Sequence, residues 1–390
     1  MNIFYMPTKI VFGPGCLKRL AKEALPGKKA LIVMTAGGSL VRNGTLTRVQ
    51  SLLSDRSIQS VVFNKILPNP IKAHVMEGAK VAKEEGCDFI IGLGGGSAID
   101  SAKSIALMAT NPGDYWDYVF GGSGKGQKVN HHALPIVAIT TTAGTGTEAD
   151  PWTVITKDDE PEKIGFGNDM TFPALSFVDP ELMRTVPPHL TAYQGFDALF
   201  HSIEGYIANI ATPLSDGIAL QSINQVAKNL AAAVEDGNNI QARTGVALGN
   251  TLAGIVETYS SCTSEHSFEH ALSAFYPELP HGAGLIMLSL SYHTFFSKIV
   301  PDRYIDMARM MGASESDIAE KGAQAFVDAL AALQKACGVD NLKMSDYGIK
   351  RDDIPALVRC ARDTMGGLFG MDRYQLTDVD AKAILTDAYR

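Results

Sequence analysis

Asp88-Phe89-Ile90-Ile91-Gly92-Leu93-Gly94-Gly95-Gly96-Ser97-Ala98-Ile99-Asp100-Ser101-Ala102-Lys103 decides the fold class. Its first six residues are a short, β-rich apolar run of the length of a buried strand. Three glycines then free the backbone to turn, and Ser97 is placed to cap a helix carrying Ile99, Ala102 and Ile105. Strand, glycine loop and helix together are the opening half of a βαβ unit. Backbone N–H groups and the positive end of the helix dipole make such a loop an anion site, so Gly95, Gly96 and Ser97 suit a phosphate. A tight turn would use the same residues, and the run is neither Gly-x-Gly-x-x-Gly nor a Walker A sequence.

Working outward, three more β-rich runs appear: Ala30-Leu31-Ile32-Val33-Met34, Ser60-Val61-Val62-Phe63 and Leu134 to Thr140. Turns and helix-length segments follow the runs at 30, 60 and 88, which predicts a mostly parallel sheet with ligands beyond the carboxyl ends of its strands. The last run leads into Thr140-Thr141-Thr142-Ala143-Gly144-Thr145-Gly146-Thr147-Glu148. Its hydroxyls and glycines suit a second phosphate- or ribose-contacting loop, though threonines also build polar loops by bonding their own backbone. After Pro187-Pro188 strand-like runs nearly vanish, and Ala/Leu/Ile-rich segments at 190–210, 213–234, 239–259 and 315–337 predict helices. The expected fold class is therefore α/β plus all-α: a Rossmann-like dinucleotide-binding domain over 1–186 and a helical metal- and substrate-binding domain over 187–390.

The helical half carries the chemistry. Asp197 and His201 stand four apart, so on a helix both leave one face a turn apart. His266 and His270 repeat that spacing, and His281 lies in Pro280-His281-Gly282, where a proline ends one element and a glycine opens a turn. A single histidine is more often structural than ligating, but four of the nine histidines cluster between 201 and 281. Asp197, His201, His266 and His281 offer one carboxylate and three imidazoles, a set that suits Zn(II), Fe(II), Co(II) or Mn(II).

Composition sets limits on partners. The 390 residues are 46% hydrophobic and 19% charged, which describes a globular chain of two or three domains. A net charge of −8 with no basic run argues against a nucleic-acid or anionic-membrane surface, leaving small molecules as the expected ligands. Five scattered cysteines without a Cys-x-x-Cys pair fit a reducing compartment. With no signal-like N-terminus and no apolar run long enough to span a bilayer, the expected location is the cytoplasm.

In chain order, Gly94 to Lys103, Thr141 to Glu148, Gly195-x-Asp197-Ala-x-x-x-His201-x-x-Glu204-Gly-Tyr206, His266-x-x-x-His270 and Pro280-His281-Gly282 resemble the iron-containing (group III) alcohol dehydrogenase family over essentially the whole chain. The resemblance implies the two-domain, dehydroquinate-synthase-like architecture, with nicotinamide and metal held in a cleft. It implies Fe2+, or alternatively Zn2+, on Asp197, His201, His266 and His281. His270 would lie beside the nicotinamide and substrate, either relaying a proton or packing there. Gly96, Ser97 and Asp100 would match the pyrophosphate loop with Gly95, Thr141 and Thr142 the threonine loop, Asn69 the Pro-Asn-Pro turn, and Lys163 a lysine near the nicotinamide ribose. NAD-preferring relatives carry an Asp after the first long strand. Here Thr35-Ala36-Gly37-Gly38-Ser39 has none, and small Gly38 and Ser39 with Arg42 nearby favour NADP modestly over NAD.

The expected reaction is reversible hydride transfer between NAD(P) and a small primary alcohol, diol or aldehyde. A glycerol-dehydrogenase-like zinc enzyme would bind its metal with fewer residues than these four. A dehydroquinate-synthase-like lyase would need Lys and Arg around its phosphorylated substrate, and 255–285 contains none. Some relatives imply a homodimer, with residues 2–12 as an exchanged edge strand.

Overall fold

The computed structural model describes residues 3–390. They divide into two compact units, one of Tyr5–Thr142 with Thr147–Met183, the other of Ala143–Gly146 and Arg184–Arg390 with the N-terminal residues up to Phe4.

The first unit is built on eight strands: β1 (Lys9–Phe12), β2 (Lys29–Thr35), β3 (Gln59–Ile66), β4 (Phe89–Gly94), β5 (Ile136–Thr140), β6 (Thr153–Thr156), β7 (Lys163–Phe166) and β8 (Leu175–Val178). Six form one parallel sheet in the order β1-β8-β5-β4-β2-β3, while β6 and β7 make a separate antiparallel pair. Helices α1 (Ser39–Arg42), α2 (Thr45–Ser54), α3 (Lys72–Glu84) and α4 (Gly96–Met108) connect the strands. Every residue of β4 and β5 is buried. Strands covered on both faces need no polar alternation, which is why they read as unbroken apolar runs. Within the segment 2–12, of which residue 2 lies outside the described residues, β1 pairs with β8 of its own chain, Val11 opposite Phe177.

From β2 the chain steps outward to β3, then returns across β2 to β4. The order reverses between β2 and β4, and parallel sheets bind ligands beyond the strand ends at such a point. The loops after β2, β4 and β5 all lie on that carboxyl edge.

The second unit is helical: α5 (Pro188–Ile207), α6 (Pro213–Glu235), α7 (Ile240–Ser260), α8 (Ser264–Phe275), α9 (His281–Phe296), α10 (Pro301–Met310), α11 (Glu315–Lys321), α12 (Gln324–Ala336), α13 (Ile354–Phe369) and α14 (Asp378–Ala388). The segment read as continuous over 315–337 is two helices, because Gly322 takes a left-handed φ of 57° between α11 and α12. Small residues on α5 let its neighbours approach: a Cβ on Gly195 would lie 2.1 Å from Leu230 of α6, and one on Gly205 2.3 Å from Val256 of α7. No helix among the described residues is long and apolar enough to cross a membrane.

Candidate metal centre and nucleotide loops

Asp197 and His201 project from α5, His266 and His270 from α8, and His281 is the first residue of α9, after Pro280 at the cap. The structure gathers three of these, His201, His266 and His281, around one atom of a fourth. Asp197 Oδ1 lies 3.4 Å from His201 Nδ1, 3.6 Å from His266 Nε2 and 3.5 Å from His281 Nε2. None of these contacts is a hydrogen bond, and Asp197 Oδ1, His201 Nδ1 and His266 Nε2 are buried without a hydrogen-bonding partner. Four ligands about 2.1 Å from a tetrahedral metal stand about 3.4 Å from one another, by the geometry of the tetrahedron. The three distances from Asp197 Oδ1 match that spacing, and one donor atom each from Asp197, His266 and His281 lie within 4.8 Å of one another; hard oxygen with imidazole nitrogen is a suitable set for a divalent ion.

For His201 and Asp197 the protonation state favours the same use. Burial pushes His201 down to about 4, leaving a neutral imidazole at physiological pH. Burial would raise the Asp197 carboxyl, but the surrounding imidazoles of His201, His281 and His266 outweigh it and hold the group well below the usual carboxylate range.

Two carboxylates to which the sequence reading gave no role complete the geometry. His266 Nδ1 bonds Glu204 Oε1, and His281 Nδ1 bonds Glu269 Oε2. Each pair turns its Nε2 toward Asp197 Oδ1. Such partners fix the tautomer and ring orientation of a ligating histidine. Glu204 and Glu269 are both fully buried. Their signal in the sequence is position: Glu204 is three residues after His201 and Glu269 three after His266, one helical turn along the same helix. His270 is also buried, with its ring 5.5 Å from that of His281 and 6.3 Å from that of His266. His293, which has no acidic partner at helical spacing, finds one across the fold in Glu265, 3.2 Å away.

The link from α7 to α8 is strained at Ser261, which takes φ 75° and ψ 159°, a conformation that glycine alone adopts freely. We expect Ser261→Gly to stabilise the fold by about 1 kcal/mol, the relief of strain outweighing the added freedom of the unfolded chain. Denaturant titration checks this; a lower midpoint would show that Ser261 is unstrained.

In the other unit the predicted nucleotide residues gather at the sheet edge. Gly95 caps α4 and packs so closely on Thr142 that a Cβ would meet the threonine side chain at 2.8 Å. Thr141 N–H donates to Gly94 O at 2.9 Å, joining the loops after β4 and β5. Gly96 and Ser97 are the first two residues of α4, so Ser97 is not the cap; its hydroxyl donates to Pro68 O and ties the Asn69 turn to the glycine loop. Gly38 caps α1 with φ 68°, Ser39 starts that helix exposed, and Arg42 donates to Gly37 O at 3.0 Å. Asp100 is buried on α4, its carboxylate accepting from Thr147 Oγ1 at 2.7 Å and Val154 N–H at 2.9 Å. Burial raises it to about 6. Lys163 is buried in β7, paired in register with Thr156 of β6.

Sequence and structure comparisons agree with one another. Residues 7–180 match the model for iron-containing alcohol dehydrogenase, and residues 191–389 match the C-terminal model of the Fe-containing alcohol dehydrogenase family. Alcohol dehydrogenase 4 of Schizosaccharomyces pombe is 34% identical, covering 100% of this chain and 89% of its own length. The NAD-dependent methanol dehydrogenase of Bacillus methanolicus is 33% identical over 93% of both chains. Among solved structures, a 1,3-propanediol oxidoreductase superposes with a TM-score of 0.92 at 30% identity, covering 100% of each chain.

Proposed function

This chain belongs to the iron-containing alcohol dehydrogenase family and is an alcohol oxidoreductase, and on that premise we propose reversible, metal-dependent hydride transfer between NAD(P) and a small primary alcohol or diol. The observation that carries the reading is the convergence of three imidazole nitrogens on Asp197 Oδ1 at 3.4–3.6 Å. Asp197, His201, His266 and His281 would hold one divalent ion, Fe2+ or Zn2+, while Gly95, Gly96, Ser97, Thr141 and Thr142 would hold the dinucleotide's phosphates.

When bound, the ion supplies Lewis acidity worth several kcal/mol toward developing negative charge on oxygen, and the nicotinamide supplies the hydride acceptor. The protein's residues do the rest. Glu204 and Glu269 hold the Nδ1 protons of His266 and His281, keeping each Nε2 lone pair available. His270, buried beside His281, is placed to carry the alcohol proton outward, a task suited to imidazole near neutrality. Within the helical unit Gly144 lies against this centre, where a Cβ would stand 3.1 Å from Asp197 Oδ2. Small primary alcohols and diols suit the reading because the methanol and propanediol relatives act on such substrates by name.

The test is reduction of NAD and NADP, followed by ultraviolet absorbance, with methanol, ethanol, butanol and 1,3-propanediol after chelation and reloading with Fe2+ or Zn2+. Metal-restored activity with at least one alcohol is expected; full activity after chelation would overturn the reading. Cofactor choice has its own test. With no carboxylate between Thr35 and Ser39, we propose that Ser39 and Arg42 admit a 2′-phosphate. Ser39→Asp is expected to raise KM for NADP roughly tenfold, about 1.4 kcal/mol, and to leave KM for NAD within about threefold. An equal effect on both cofactors would remove the phosphate from this loop.

A further inference from the structure

Cys262 occupies the three-residue link between α7 and α8, and this link is held from both sides. Upstream, Ser261 takes the strained φ of 75°. Downstream, Thr263 donates its N–H and its hydroxyl to Glu204 Oε2, each at 2.8 Å. The result places a buried sulfur against the metal centre: one donor atom each from His201, Cys262 and His266 lie within 4.8 Å of one another. The His201 and His266 rings stand 4.4 Å apart, and His201 Nδ1 and His266 Nε2 have no hydrogen-bonding partner. The same two imidazoles therefore neighbour both an oxygen, Asp197 Oδ1, and the Cys262 sulfur.

We propose that the centre has two overlapping metal positions, and that His201, Cys262 and His266 form the second, which selects a thiophilic d10 ion such as Zn2+ or Cd2+. The proposal rests on the reading of Asp197, His201, His266 and His281 as a metal centre. Thiolate with imidazole favours soft and borderline ions, whereas carboxylate with imidazole also accommodates Fe2+ and Mn2+. Binding at the sulfur position displaces the Cys262 thiol proton to solvent, since the thiolate is the ligand. Because His201 and His266 are shared, an ion drawn to Cys262 leaves Asp197 and His281 with an incomplete set. Excess thiophilic metal is thus expected to compete with the ion the reaction uses.

Metal-free full-length enzyme titrated with Cd2+ tests this through the thiolate-to-metal charge-transfer absorbance. In the wild-type enzyme the band should grow to one equivalent. Cys262→Ser should lose the band and bind Cd2+ roughly tenfold or more weakly, with Mn2+ affinity changed less than about threefold. His281→Ala, which leaves the three sulfur-side ligands intact, should keep the band. Cadmium NMR of the wild-type enzyme reports a sulfur ligand without any substitution and so covers the case of a misfolded variant. Stoichiometric Cd2+ without a band, or a band that survives Cys262→Ser, overturns the sulfur position and leaves the metal centre standing. Failure of the wild-type enzyme to bind Cd2+, Mn2+ or Fe2+ would overturn both.

Discussion

Asp197→Asn is expected to lower kcat/KM for alcohol by about 10³-fold or more, roughly 4 kcal/mol, and to strip the enzyme of metal on dialysis. Asp197 is the one anionic member of the proposed ligand set, and its Oδ1 faces all three imidazoles. An amide has the same volume, so the packing of α5 against α6 and α7 is preserved and the loss is electrostatic. Without the carboxylate, the centre becomes three neutral imidazoles and an amide, which binds a divalent ion far less tightly. Elemental analysis and a kcat/KM measurement check the two parts together. Nucleotide affinity should change less than about threefold, since the loops after β2 and β4 contain no proposed metal ligand. A variant that keeps its metal and its kcat/KM would remove Asp197 from the centre.

How much of this was legible in the sequence depends on whether the information is local. The runs at 30–34 and 89–94 show as strands because both faces are buried and no polar residue interrupts them. β6 and β7, four residues each, gave no comparable signal; their pairing is set by register between segments ten residues apart. The Asp197/His201 and His266/His270 pairs were readable because helical spacing puts each pair on one face. Glu204 and Glu269 were visible as residues but not as partners, because which imidazole each one holds depends on how α5, α8 and α9 cross. Cys262 shows the limit most clearly: as one of five scattered cysteines it carried no role, and only the turn between α7 and α8 places it against two metal-site histidines. Ser97 failed as a cap for the opposite reason. The expected local role lost to a tertiary bond to Pro68 O.

Glu204→Gln carries the second large effect, and its direction follows from counting donors and acceptors. Glu204 Oε2 accepts from Thr263 N–H and Thr263 Oγ1 at 2.8 Å each and from His266 N–H at 3.3 Å, while Oε1 faces His266 Nδ1. Burial would raise this carboxyl, but His266 and the Thr263 hydrogen bonds hold it below its ordinary value, so it is an acceptor at both oxygens. Glutamine has one acceptor and one donor end. If its oxygen serves the Thr263 donors, its NH2 meets His266 Nδ1 and drives the ring to the tautomer with the proton on Nε2, the nitrogen that faces Asp197. If it turns the other way, the NH2 confronts buried donors, at a cost of about 1–3 kcal/mol. Either arrangement weakens His266 as a ligand, and a loss of about 10–100-fold in metal affinity is expected, with kcat falling in proportion to occupancy. Saturating metal should then restore most of kcat in Glu204→Gln but little in Asp197→Asn. That contrast distinguishes a residue that orients a ligand from one that is a ligand. If saturating metal fails to rescue Glu204→Gln, Glu204 acts on the reacting atoms themselves rather than through His266.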